Sequence, residues 1–227
     1  MSKRWDEFIY WCCRYYEDQE AFDRQERKHT LRVAAQAIAA RDSVFSGSDD
    51  WMSLVRKPLS SHLCHHYPKM EFDRWLASDP HGLQSALMLL WRFDITPGDR
   101  IDRFLEVSPI DLQRNQFAEP AVVLHTAMGV EHFPTYRATR IQRAFLMTGF
   151  PDFKESGIEL RGERYEHVLE FFDRVIKEAS DRGIQLRDRL DSQGLTWGVT
   201  YWQPPEHWDE GDRKRILEFR GDQAAGA

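Results

Sequence analysis

Cysteine is scarce in this chain. Its 227 residues hold three, Cys12, Cys13 and Cys64, an odd number with two adjacent. That count argues against a disulfide framework and predicts a reducing, cytoplasmic setting. Glycine (13) and proline (10) are too few for a low-complexity chain. No apolar run approaches the roughly 20 residues that cross a bilayer. Residues 1–16 lack the charged-then-apolar plan of a signal peptide, so no membrane partner is expected. Alternation of the strand type is nearly missing, apart from a weak stretch at Leu195–Trp202. Signatures that carry chemistry are missing as well. The sequence holds no GxxxxGK followed by Ser or Thr, no GxSxG, no HExxH and no GxGxxG. It therefore predicts no catalytic residue, no nucleotide-driven motor and no cofactor.

What remains is an ordinary globular composition. Hydrophobic residues make up 41%, charged ones 30%, and the mean hydropathy is −0.62. A chain of this length is one large domain or two small ones, and buries roughly 70% of its extended surface on folding. The net charge of −6 opposes a whole-surface attraction to nucleic acid or anionic lipid, but permits a local basic face. Basic residues are 24 arginines against seven lysines. GC-rich coding gives such a skew; so does a need for bidentate phosphate or carboxylate contacts.

Helical periodicity dominates. Trp5, Phe8, Ile9, Cys12, Cys13 and Tyr16 fall on one face, which makes the two cysteines core residues rather than reactive thiols. A second helix is expected over 21–45, with Val33, Ala34, Ala37, Ile38 and Phe45 inward and Gly47 as its stop. Asp79-Pro80, Thr96-Pro97 and Ser108-Pro109 each set a capping side chain before a proline, and short helices should follow. Further helices are expected over 120–127, 139–148, 163–182 and 186–201, the third with Glu170–Arg174 and Asp173–Lys177 pairs. The segment 149–162 reads as a linker or exposed excursion. The fold class predicted is all-α, an irregular multi-helix bundle of about 8–10 helices.

Several clusters invite chemistry and mostly decline it. His62-Leu63-Cys64-His65-His66 has metal-binding residue types but no second half at ligand spacing, so no metal site is predicted. Asp49-Asp50, Asp188 with Asp191, and the nuclease-like letters Glu26-Arg27-Lys28 read as helix faces in a chain with 37 acids. Trp197, Trp202 and Trp208 could cage a base, though helical spacing favours core filling. Residues 132–150 are more telling. They carry Arg137, Arg140 and Arg143 and no acid. Thr139 can cap a helix whose first-turn N–H groups and arginines would hold a phosphate, with Tyr136 and His132 as stacking rings. The alternative is a structural turn whose arginines pair with acids on neighbouring helices.

Four segments in order resemble a known family. His132-Phe133-Pro134-Thr135-Tyr136-Arg137, followed by Thr148-Gly149-Phe150-Pro151, is similar to a "YPxYR…LTGYP" stretch. Residues 164–173 (RYEHVLEFFD), 186–197 (LRDRLDSQGLTW) and 203–208 (QPPEHW) resemble "RYxHxLxFLD", "LRDRLDAQGLVW" and "WEPPExW". Together they resemble the N-terminal region that precedes the AAA+ motor of McrB-like proteins from prokaryotic restriction and defence systems. The resemblance implies a non-catalytic module that selects DNA, often modified DNA, for an AAA+ motor domain and a partner nuclease. No motor is present here, so the chain is expected to be a recognition module alone, as a short protein or an excised domain. On that reading residues 1–120 form an N-terminal helical part, 121–220 the part carrying the resemblance, and 221–227 a disordered tail. A protein-interaction adaptor without DNA contact is the rival expectation.

Overall fold

Amphipathic stripes become helices throughout the computed structural model, which describes residues 3–109 and 118–221. Among these residues there are twelve α-helices and no strand, so the protein is all-α. Helix α1 (Lys3–Tyr16) buries Trp5, Phe8, Ile9 and Cys12 as its spacing demands, and Trp11 and Tyr15 besides. Burial pushes the Cys12 thiol well up, so it stays protonated.

The next helix is interrupted. It runs as α2 (Gln19–Phe22), a π turn (Asp23–Arg27) and α3 (Lys28–Ser46), ending on left-handed Gly47 as expected. Ile38 and Phe45 are corrections: they are 39% and 50% exposed. The buried row is Val33, Ala37, Ala40 and Val44, and each exposed residue follows a buried one, about 100° round the helix.

Helices α4 (Trp51–Leu59) and α5 (His66–Ser78) were not expected; α4 carries Pro58 in its last turn, and α5 starts without a side-chain cap. Helices α6 (Pro80–Leu90) and α7 (Pro97–Glu106) start where the caps predict. Asp79 Oδ1 accepts from the Gly82 amide at 2.8 Å and Thr96 Oγ1 from the Asp99 amide at 3.1 Å. The helix expected after Ser108-Pro109, and the tail from 222, lie outside the described residues.

Four helices match expected ones: α8 (Ala118–His125), α9 (Ala138–Thr148), α10 (Arg161–Ser180) and α11 (Arg189–Tyr201). The last, α12 (Glu210–Arg220), was not expected. On α10 the ion pairs are not those predicted. Arg174 reaches Glu178, Lys177 reaches Asp181 at 2.7 Å, and Asp173 receives Arg189 from α11 at 2.6 Å. The weak strand stretch is corrected too: Leu195–Tyr201 is helical. Every residue from Leu190 to Thr200 is buried, because α11 is enclosed by α1, α9, α10 and the π turn. A helix wrapped on all sides has no polar face to show a 3.6-residue period.

One continuous core joins the parts before and after residue 120, from Trp5 and Phe8 through Trp91 and Phe104 to Phe171, Trp197 and Ile216. Its tightest seam is between α7 and α10. A Cβ on Gly162 would sit 2.1 Å from the Gly98 carbonyl oxygen. Across the seam the Gly162 amide donates to Asp102 (2.7 Å) and the Gly98 amide to Glu166 (2.9 Å). Replacing Gly162 by Ala is expected to lower stability by about 1–3 kcal/mol, read as a lower urea midpoint. An unchanged midpoint would mean the helices are not packed this closely.

Candidate functional site

The start of α9 meets α5, α8 and the end of α11 around a cavity of about 680 Å³. Its position is set by local chemistry. Tyr165 on α10 donates its hydroxyl to the Pro134 carbonyl (3.1 Å) and its ring lies 6.0 Å from that of Tyr136. These contacts fix the turn 133–137, so Tyr136 and Arg137 enter the cavity wall just before α9 begins.

Three of the five residues singled out from sequence are brought together. Tyr136, Arg137 and Arg140 line the cavity. Burial pushes the Tyr136 hydroxyl up to about 12, so the ring enters as neutral phenol. Arg137 is the N-cap residue and is latched from one side. Its Nη1 lies 3.3 Å from His65 Nε2 and its Nη2 donates to the His62 carbonyl, while its Nε is buried without a partner. Arg140, one turn on, lies over the rings of Tyr201 (4.0 Å) and Trp197 (4.5 Å), a cation–π arrangement.

The other two do not belong to it. Arg143 turns away and donates to the Thr200 (3.0 Å) and Arg220 (2.7 Å) carbonyls. His132 is exposed and outside the cavity; its carbonyl accepts from Arg189 at 2.9 Å. Thr139 lies within the first turn rather than at the cap, and no side chain caps α9. The first-turn amides therefore lack the usual side-chain acceptor.

Sequence reading passed over His65 and His66, which also line the cavity. Glu119 on α8 clamps His65: its Oε2 accepts from the His65 amide (2.9 Å) and its Oε1 faces Nδ1 at 2.6 Å. With the proton on Nδ1, Nε2 is left to accept from Arg137. The available signal was only a basic, histidine-rich segment; its partner lies 54 residues away.

The remaining clusters are structural. Asp188 caps α11 and shares Arg27 with Asp191, and Glu26 sits buried against Thr30 and Gln193. Burial pushes the Glu26 carboxyl up to about 7, against the pull of the Gln193 hydrogen bond and the Arg140 charge. Trp208 stacks on Trp11 at 5.7 Å and Trp197 is buried, so the tryptophans fill core. No trio of His, Cys, Asp or Glu is placed to hold a metal among the described residues. No helix there is long and apolar enough to cross a membrane.

The cavity holds two guanidiniums, Arg137 and Arg140, and one carboxylate, Glu119. Arg14, Arg27, Arg56, Arg182, Arg187 and Arg189 all bind carboxylates. Among the described residues neither Arg137 nor Arg140 joins an ion pair. A second hollow, of about 810 Å³ beside α9 and the 149–162 loop, mixes Arg4, Lys154 and Arg164 with Asp152, Glu155 and Glu159. It shows no comparable excess of one sign. The motifs behind the family resemblance supply much of this scaffold: Tyr165 from the second, Asp188 and Asp191 from the third, Trp208 from the fourth. No family model, no curated protein and no solved structure matches the chain.

Proposed function

We propose that this chain is a non-catalytic recognition module that binds DNA through the α9 cavity. The observation that carries the reading is a pair of guanidiniums outside any ion pair among the described residues, Arg137 and Arg140, beside Tyr136 and Tyr201 in one concave site. Arginine forks recognise phosphate and aromatic faces stack on bases. The resemblance of the four segments to the region before McrB-like motors supports the same reading, and adds a restriction-type AAA+ motor and nuclease as partners. Hydrolysis and cutting then belong to those partners, and this chain selects the target. Exposed Leu146 on α9 and Phe93 after α6 favour the second reading, an adaptor that docks on a protein of such a complex.

A salt titration separates the two. Replacing Arg137 and Arg140 together by Ala should weaken binding to single-stranded DNA. It should also reduce the slope of log affinity against log salt by about 0.7 for each phosphate no longer neutralised. Arg143→Ala should leave that slope alone and lower the melting temperature, since its partners are backbone carbonyls. DNA affinity that ignores the double substitution would sink the DNA reading and favour the adaptor.

A further inference from the structure

We propose that the binding surface continues from the α9 cavity over the paired rings of His62 and His29 onto Lys28 and Arg32 of α3, and that a single DNA strand several nucleotides long lies along it. This rests on the reading that the cavity binds DNA phosphate.

The first argument is contact. Arg137 Nη2 donates to the His62 carbonyl. The His62 ring stacks on that of His29 at 4.1 Å, and Arg32 Nη2 donates to His29 Nδ1 at 2.8 Å. An unbroken line of contacts thus leads from the cavity wall to α3. Lys28 and Arg32 stand one turn apart on that helix, both exposed, and neither joins an ion pair among the described residues. His62 is exposed between the two groups of cations, where its ring can carry a base.

The second argument is charge. Three stretches without a single acid meet here: 27–41, mostly on α3; 51–70, through α4 into the start of α5; and 132–150, leading into α9. The chain as a whole carries 37 acids and a net charge of −6, so this face departs from the rest of the surface. Two carboxylates stand near it: Glu119, against His65, and Glu26, buried near Arg140. Lys28, Arg32, Arg137 and Arg140 outnumber them. Cations in a row beside aromatic rings are what hold a single strand.

The third argument is direction. On the other side of Tyr136 the arginines are accompanied by acids. Arg161 faces the charge of Asp102, and Arg164 lies over Phe153 in the second hollow with Asp152, Glu155 and Glu159. Along α9, Arg143 is turned onto the Thr200 and Arg220 carbonyls. The α3 side continues the cations without such acids.

The test compares oligothymidylates of about three and about twelve nucleotides, lengths that bracket a short single-strand site, on the full chain at neutral pH over a range of salt. The long strand should bind about tenfold or more tightly than the short one. Lys28→Ala with Arg32→Ala should remove most of that gain and reduce the salt slope by about 0.7 for each phosphate no longer neutralised. Short-strand affinity and the melting temperature should stay as they are. Arg213→Ala with Lys214→Ala takes the same charge from exposed positions of α12 and should change neither affinity. Long-strand binding that ignores the α3 pair but weakens with the Arg137 and Arg140 pair overturns the inference and leaves the DNA reading standing. An equal loss from the α12 pair would mean bulk charge and overturns it too. A duplex of the same length binding more tightly than the single strand overturns the strand part. Binding that depends on the α3 pair alone removes the cavity reading and, with it, the continuous path. Silence from every strand overturns both.

Discussion

Replacing Asp191 by Asn is expected to lower the unfolding free energy by about 3–5 kcal/mol, the usual cost of removing one partner from a buried ion-pair network. The carboxylate is fully buried at the start of α11. It accepts from Arg27 Nη1 (2.8 Å), from Arg187 Nε (2.7 Å) and Nη2 (2.8 Å), from the Arg187 amide (3.0 Å) and from the Tyr16 hydroxyl (3.0 Å). Asparagine keeps the shape but turns one acceptor into a donor that faces other donors. Both guanidiniums would then depend on Asp188 and Asp23 alone. The pH dependence has a definite sign. Burial acts to raise the Asp191 carboxyl, but the Arg187 hydrogen bonds and the two arginine charges hold it below the ordinary 3.8. A depressed carboxylate contributes its stability above its unfolded value and loses it as pH falls through the folded one. The gap between wild type and Asp191→Asn should thus be full at neutral pH and close only below about pH 3.8. Urea titrations at neutral and acid pH measure it. A gap that stays constant into acid would mean the missing charge is not its cause.

A wet face made two helices plain in the sequence. Helix α1 and α10 alternate core and solvent at 3.6-residue spacing, and the caps at Asp79 and Thr96 mark their helix starts by side-chain chemistry that needs no tertiary partner. Helix α11 was expected as a helix, but its burial was not legible: enclosed on every side, it carries Asp191, Ser192, Gln193 and Thr196 into the core, and its polar residues look like a surface. Their partners are Arg27, Phe172 and Glu26, far away along the chain. The site follows the same rule. Tyr136, Arg137 and Arg140 stood out because the local segment has no acid. Which arginine lines the cavity and which turns to a backbone carbonyl was not local: Arg140 and Arg143 are three positions apart on one helix and point to different surroundings. His65 was hidden for the same reason, since its meaning comes from Glu119 and Arg137 rather than from its neighbours in sequence.

Arg220→Ala should be nearly as damaging, lowering stability by about 3–4 kcal/mol because several charged hydrogen bonds break at once. The side chain closes α12 and is 7% exposed. Its Nε donates to the Val199 carbonyl (2.5 Å), Nη1 to the Trp202 carbonyl (2.7 Å), and Nη2 to the Gly198 carbonyl (2.7 Å) and the Tyr15 hydroxyl (2.9 Å). The end of an α-helix leaves its last carbonyls without intrahelical donors, and carries partial negative charge. At the end of α11 Arg220 answers both, helped by Arg143 on the Thr200 carbonyl. Alanine would take this donor from the Val199 carbonyl, and leave the Gly198 carbonyl only the Trp202 amide and the Trp202 carbonyl only the Tyr15 hydroxyl. Lysine should restore only part of the stability, because one ammonium cannot match a planar fork over four acceptors. The consequence reaches the cavity. Tyr201, which lies against Arg140, is the last residue of α11, so loosening this cap should weaken ligand binding along with the fold. Arg140→Ala, by contrast, should weaken binding with little change in melting. Melting curves and binding isotherms on the two variants test this directly. If Arg220→Ala melts like wild type, α12 is not docked on α11 and the wall behind Arg140 is set by something else.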